Sequence, residues 1–313
     1  MQSGQPRKTG HALGFAACAL ASVFWGCGFF FGKIALAEMN VGAMVLYRFA
    51  FAILGLAPLL FTHRPQLNRR EWGWVLLGSF LGVPLQFLLQ FHGLSLTTVS
   101  HASLMVGTMP VILAVGATMF AHERLHGLGW VALAVSTAGA ALIALGGDRH
   151  ATTGTGPTLV GDLLVVVSMF IALFWILINQ HLIGTHSPVV VTAYGLLTGF
   201  LMLAVCVPPV WGLPPVHGIS LKAWTALAAR GLLCTASTTL LWNWGMTRVP
   251  ASQAAVLLNM EPLIGSVLGV TLLHEHLGRA GYFGGAMIVV AAVTLTTHSS
   301  RQAADISAAA TTV

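Results

Sequence analysis

Residues 251–281, ASQAAVLLNMEPLIGSVLGVTLLHEHLGRAG, decide the fold, because residues 99–129, VSHASLMVGTMPVILAVGATMFAHERLHGLG, carry the same pattern without a gap. The shift is 152 residues, the distance from position 99 to position 251. It places Ser100 on Ser252, Ala102 on Ala254, Pro110 on Pro262, His122 on His274, Glu123 on Glu275, Leu125 on Leu277 and Gly129 on Gly281. Upstream, Gly93 falls on Gly245. An apolar helix with a mid-helix proline and an acidic exit turn therefore occurs twice, half a chain apart.

The surroundings of both copies are apolar. Of 313 residues only 7% are charged, against roughly a quarter in a soluble domain, so this chain cannot cover a water-facing surface. A bilayer core takes about 20 helical residues. Ten runs of that kind can be drawn: 12–33, 41–61, 72–92, 99–120, 127–146, 158–180, 188–210, 221–245, 251–273 and 279–298. Charge, Gly or Pro separates each from the next. The expected fold class is an all-α membrane protein of ten transmembrane helices, arranged as two inverted five-helix repeats over 12–146 and 158–298. The Gly/Thr-rich segment 146–158 links them, and the Ala/Thr/Ser-rich tail 299–313 is expected to be disordered and cytoplasmic. The run after Arg7 and Lys8 is a full span and reads as a retained first helix, since a signal peptide has a shorter apolar core. Gly at 35 residues suits close helix packing in lipid. Cys18, Cys27, Cys206 and Cys234 lie inside apolar runs without a C-x-x-C pair and read as small buried hydrophobes.

Orientation follows from Lys and Arg. With the amino terminus on side A, that side collects Arg7, Lys8, Arg64, Arg69, Arg70, Arg124, Arg248 and Arg301; side B collects Lys33, Arg149, Lys222 and Arg279. Side A is then cytoplasmic, with both termini inside. Five helices per half is an odd number, so the second half enters upside down. Inverted repeats suit alternating access about a site near the midplane. The formal charge of +6 sits mostly in short loops on one side and implies no nucleic-acid partner.

With the repeat placed, the sequence resembles the drug/metabolite transporter superfamily, in particular its EamA-type ten-helix members. The resemblance rests on Trp25-Gly26 followed by Lys33, Arg48 in span 2, Pro110 and Glu261-Pro262, Glu123 and Glu275 at the ends of spans 4 and 9, and Gly161-Asp162 with Trp175 in span 6. It covers nearly the whole chain. It implies export or exchange of a small metabolite, often an amino acid, at a bacterial inner membrane, with no cofactor. The expected partners are the solute and the lipid bilayer, with a second copy of the chain as a candidate. One departure is Asn179-Gln180-His181 at the end of span 6, where many relatives carry a basic residue.

Several polar residues fall where solute or charge chemistry would sit. Glu261 lies about 10 residues into span 9, near mid-bilayer at about 1.5 Å per residue. A carboxylate there either faces a cavity as a proton carrier or is a structural partner of Arg230. The frequency of the Glu-Pro pair among relatives favours the structural role. Polar and aromatic residues recur four apart, on one helix face: Gln86 and Gln90, Trp175 and Asn179, Thr238 and Trp242 followed by Asn243, and Trp25 with Phe29. Trp25, Gln86, Gln90, Trp175, Asn179, Trp242 and Asn243 form the expected solute site. Interhelical hydrogen bonding explains the amides equally well, and packing the tryptophans. His101 and Gln253, repeat partners at the starts of spans 4 and 9, are gate candidates or helix-end hydrogen-bonding groups. Arg48 binds an anion or pairs with Asp162 at the start of span 6; the ion pair is the preferred reading.

His122-Glu123-Arg124-Leu125-His126 matches H-E-x-x-H, the zinc-protease signature, so an intramembrane zinc metalloprotease is the rival from another class, and a non-transporting membrane sensor a third. Against zinc, the repeat copy has Gly278 at the second ligand position, Gly127 and Gly129 follow at once, and Glu123 already serves as the acidic exit-turn residue. No metal is expected. No G-x-x-x-x-G-K loop is present, so the energy source is a gradient or the solute itself.

Overall fold

The computed structural model describes residues 5–109, 111–112, 116, 127–146, 157–248 and 257–294. Pro110, His122, Glu123, Arg124, His126 and Gln253 lie outside the described residues, as does the tail 299–313. Among the described residues every regular element is a helix. In order come α1 (Gln5–Leu36), α2 (Val41–Thr62), α3 (Arg69–Ser95), α4 (beginning at Val99–Val106) and α5 (Gly127–Gly146). The second half gives α6 (Leu159–Ile183), α7 (Pro188–Trp211), α8 (221–246), α9 (Met260–Leu272) and α10 (Arg279–Thr294). Ala12–Leu36 and all of α2, α3, α6 and α7 are long and apolar enough to cross a membrane. Apolar side chains such as Leu54, Phe61, Val160, Val205 and Val210 point outward, as a lipid-facing surface requires. Cys206 belongs to that outer face, correcting the expectation that it is buried, while Cys18 and Cys234 are interior; all four cysteines are free.

Local chemistry sets the helix ends. Asn40, Asn68, Thr98, Thr158 and Ser220 each accept a backbone N–H of the following first turn through the side chain. Asn68 and Glu71 complete a reciprocal capping box. End A of the bundle carries the α2–α3 and α6–α7 connections. End B carries α1–α2, α3–α4, α7–α8 and α9–α10.

The two halves interlock by exchange. α3 packs on α6, and α8 packs on α1. Gly93 on α3 meets the Gly161 carbonyl of α6, where an added Cβ would come within 2.7 Å. Its repeat partner Gly245 on α8 meets the Gly14 carbonyl of α1, at 2.8 Å. α2 against α7 and α4 against α9 are contacts between corresponding helices. At the α4–α9 crossing Gly265 faces Ser103, Gly269 faces Ser100 and Gly107 faces Pro262, so small residues let the backbones touch.

Helix breaks come in pairs. α4 turns at Gly107-Thr108, and the chain entering α9 turns at Asn259, the position 152 residues later. Each break falls within the four residues preceding a proline, Pro110 or Pro262, whose missing N–H and ring disrupt the preceding turn. α3 widens to a π-helix over Leu81–Leu85, and α8 does so over Leu232–Ser237, again in register with the repeat. In α3 the cause is Pro84. In α8 threonine hydroxyls take the displaced carbonyls: Thr235 Oγ1 donates to Arg230 O at 2.9 Å and Thr238 Oγ1 to Leu233 O at 3.1 Å.

At end B, Glu38 between α1 and α2 ties the halves. It accepts from Ser220 Oγ at 2.6 Å and from Ser220 N at 2.7 Å, and these bonds hold its carboxyl below the usual carboxylate range. A depressed carboxylate stabilises the fold above its unfolded value, and that contribution disappears as pH falls through the folded value. Glu38→Gln is therefore expected to flatten the acid side of the melting-temperature profile while changing little near its acid extreme. A profile parallel to wild type would show that Glu38 contributes nothing to the pH dependence.

Candidate functional site

A small cleft, with interior room of about 20 Å3, little more than a water molecule takes, lies toward end A. Val75, Ser79 and Val83 of α3 form one wall, Trp175, Asn179 and Leu182 of α6 another. Val191, Thr192, Gly195 and Leu196 of α7 and Thr239 of α8 complete it. Trp175 lies across Gly82 in the π segment of α3, where any side chain would collide with the indole. Asn243 Nδ2 donates to Thr192 Oγ1, which fixes a polar corner between α7 and α8. Of the residues expected to hold solute, Trp175 and Asn179 line this cleft and Asn243 buttresses it.

The others lie elsewhere. Trp25 of α1 packs on Trp242 of α8, ring centroids 5.3 Å apart, at the exchanged contact between the halves. Gln86 and Gln90 are 5% and 4% exposed on α3 beyond the π segment, inside the core. The single convergent pocket expected of all these stripes is thus corrected to a cleft, an aromatic contact and a buried amide pair. The sequence reading missed Ser79, Thr192 and Thr239. Thr235 and Thr239 are four apart and share a stripe, which was the available signal.

The charged residues are arranged differently from expectation. Arg48 does not pair with Asp162. Its Nε donates to Thr235 Oγ1 at 2.8 Å, and its guanidinium lies 3.9 Å from the Phe87 ring centroid. Asp162 instead accepts from Thr97 Oγ1 at 2.6 Å and lies 3.1 Å from His101 Nδ1. His101, read as a gate candidate, is a buried partner of that carboxylate at the α3–α4–α6 junction. The expected Glu261–Arg230 ion pair is also absent. Arg230 Nη1 donates to Cys234 O at 3.1 Å, against Gly28 of α1. Among the described residues the only contacts within 4.0 Å between a carboxylate and a basic side chain are His101–Asp162 and His186–Glu71.

End B is closed by polar contacts within the first half and between the halves. Lys33 Nζ donates to Leu94 O at 2.9 Å and to Thr97 O, capping the end of α3. Glu275, beyond the end of α9, accepts from Val99 N at 2.7 Å, Ser100 N at 2.8 Å and Ser100 Oγ at 2.7 Å. A second-half carboxylate thereby caps the first-half helix α4. His274, at φ 53, makes the turn that aims it. Among the described residues no cluster of three or more His, Cys, Asp or Glu side chains is placed to hold a metal.

Known proteins agree with this architecture. The profile of the EamA-like transporter family matches residues 12–145 and again 159–297. An uncharacterized transporter of Archaeoglobus fulgidus is 26% identical over 91% of this chain and 97% of its own length. A biotin transporter of Salmonella typhimurium is 24% identical over 88% and 90%. A probable terminal-alkyne amino-acid exporter of Streptantibioticus cattleyicolor is 24% identical over 87% and 89%. With its two halves each matching the family, its all-helical fold and its transporter relatives, this chain belongs to the EamA-like transporter family of the drug/metabolite transporter superfamily, whose members are transporters and not enzymes.

Proposed function

We propose that the chain is a secondary transporter of a bacterial inner membrane that exports a small metabolite, an amino acid or a related compound, by alternating access. Both termini face the cytoplasm, and the halves 12–146 and 158–298 rock against each other. The observation that carries the reading is the cleft between α3, α6, α7 and α8 at end A, set against the dense polar closure at end B. A small recess toward one side, with the other side tied shut, fits one largely closed state of such a cycle. Trp175 offers an apolar face and Asn179 an amide, with Thr192 and Thr239 hydroxyls beside them. Those groups suit a small solute with both polar and apolar parts. The similarity to an amino-acid exporter supports the substrate class, and the basic residues of the α2–α3 loop support end A as cytoplasmic.

Comparing metabolites in the medium of overexpressing and deleted strains tests the reading; a medium unchanged by either would overturn it. Asn179→Ala should weaken solute affinity by about 1–3 kcal/mol without loss of folded protein, as removal of one site hydrogen bond does. Gln90→Ala, away from the cleft, should reduce the folded amount more than the affinity. Normal affinity in Asn179→Ala would remove this residue from the site.

A further inference from the structure

Two arginines, one from each half, meet inside the bundle. Arg48 is 1% exposed and Arg230 is 3% exposed. Their Cζ atoms lie 5.5 Å and 5.2 Å from the centroid of the same ring, Phe91. The protein satisfies only part of their donor set. Arg48 Nη1 and Arg230 Nε are buried without a hydrogen-bond partner. A guanidinium does not lose its proton in a protein, so both charges persist. Two like charges in a low-dielectric interior with donors unspent are destabilising unless something else meets them. The aromatic faces of Phe49, Phe87 and Phe91 offset part of that penalty and supply no acceptor lone pair.

Their position relative to the cleft gives the rest. Val83 and Thr239 are the cleft residues farthest along α3 and α8 from end A. One helical turn beyond Val83 is Phe87, and one turn beyond Thr239 is Thr235. Those are the ring beneath Arg48 and the hydroxyl that accepts from it. The two π segments, in register by the repeat, lie on either side of this point. Paired irregularities in corresponding helices of two halves mark where transporters of this kind place their ligands.

We propose that Arg48 and Arg230 form the anion subsite of the transport path, and that the ligand it takes is a small monocarboxylate. The carboxylate of a solute entering past Val83 and Thr239 accepts from Arg48 Nη1 and Arg230 Nε, while Phe87 and Phe91 pack against its carbon chain. Glu261 acts on Arg230 electrostatically without pairing with it. With Glu261 ionised the local charge is +1, which one carboxylate neutralises and a phosphate dianion overshoots. The proposed route reaches the buried guanidiniums from the end-A side, past Val83 and Thr239, while the contacts of Lys33 and Glu275 lie at end B. The inference rests on the transporter reading and names its substrate class.

The test uses full-length protein in lipid nanodiscs and reads the melting temperature as ligand is added. The probes are L-leucine, L-phenylalanine and octanoate, each beside its primary amide, together with inorganic phosphate. At least one acid should raise the melting temperature of the wild type and its amide should not. Arg48→Lys and Arg230→Lys, which keep the charge but lose the guanidinium fork, should each weaken that acid by about tenfold or more. Equal shifts by acid and amide overturn the proposal, as do a response to phosphate alone, no response to any acid, or an acid response unchanged in both variants. The acid–amide comparison is made on wild type, so it stands even if a variant folds poorly. An exported solute without a carboxylate, found by metabolite profiling, would sink the subsite and leave the transporter reading intact; no exported solute at all would sink that reading.

Discussion

Glu275→Ala will open end B. The carboxylate holds Val99 N, Ser100 N and Ser100 Oγ at once, so its loss strips the cap from α4 and cuts the tie between the end of α9 and the start of α4. Charge-assisted bonds to a helix amino end are worth more than neutral ones, and Glu275 is half-exposed, so a loss of about 2–3 kcal/mol is expected. In an alternating-access cycle this tie has to break on every turnover. The variant should therefore be shifted toward the state open at end B, beyond any general loss of stability. The measurement is labelling of Thr98→Cys, placed beside the tie, by an impermeant thiol reagent, with and without Glu275→Ala. Expected is a rise in labelling rate with Glu275→Ala. Glu275→Asp should not recover the original rate, because a shorter side chain cannot reach both backbone amides. Unchanged labelling in a destabilised protein would make the contact a plain structural cap.

The position of Glu275 also shows how far the chain could be read in advance. Its pairing with Glu123 across the repeat, and the prolines at equivalent sites, were visible as spacing. The spans 99–120 and 251–273 read as unbroken, and the turns found at Gly107 and Asn259 lie at positions related by that same spacing. The π segments were half visible: Pro84 announces the first, but the second depends on threonine hydroxyls taking displaced carbonyls, which no local composition signals. The charged residues were misassigned for a definite reason. Position along a span gives depth, and depth put Arg48 with Asp162 and Glu261 with Arg230. Rotation about the helix axis comes from packing. Gly231, pressed on the Arg48 carbonyl, brings α8 against α2 and delivers Thr235 to Arg48. Asp162, in the first turn of α6, is left to Thr97 and His101. The same limit separated Gln86 and Gln90 from the cleft lined by Trp175 and Asn179.

Glu261→Gln will uncouple transport from a proton gradient while leaving the protein folded. The residue sits at the start of α9, just past the break at Asn259, and its own carbonyl lies against Gly26 of α1. Among the described residues no Lys or Arg lies within 4.0 Å of its carboxylate. Arg230 takes its contacts from Cys234 O and the Phe91 ring instead. Breaking a true buried pair would cost roughly 3–5 kcal/mol and deplete the protein from the membrane. Without that pair the amide should be tolerated, with a stability change of about 1 kcal/mol or less. A carboxylate at this depth that is not spent on a fixed cation is free to exchange a proton as the path alternates, and an amide is not. Uphill export driven by an imposed pH gradient should then fail in Glu261→Gln, whereas downhill exchange of the same solute survives. Adding Arg230→Gln should give no rescue of protein level, because there is no broken pair to mend. The deciding experiment is export under imposed gradients, normalised to folded protein in the membrane. Gradient-driven export at the wild-type rate would remove Glu261 from the coupling step. A poorly produced single variant restored by Arg230→Gln would return it to the role of ion-pair partner, with the pair formed in another state of the cycle.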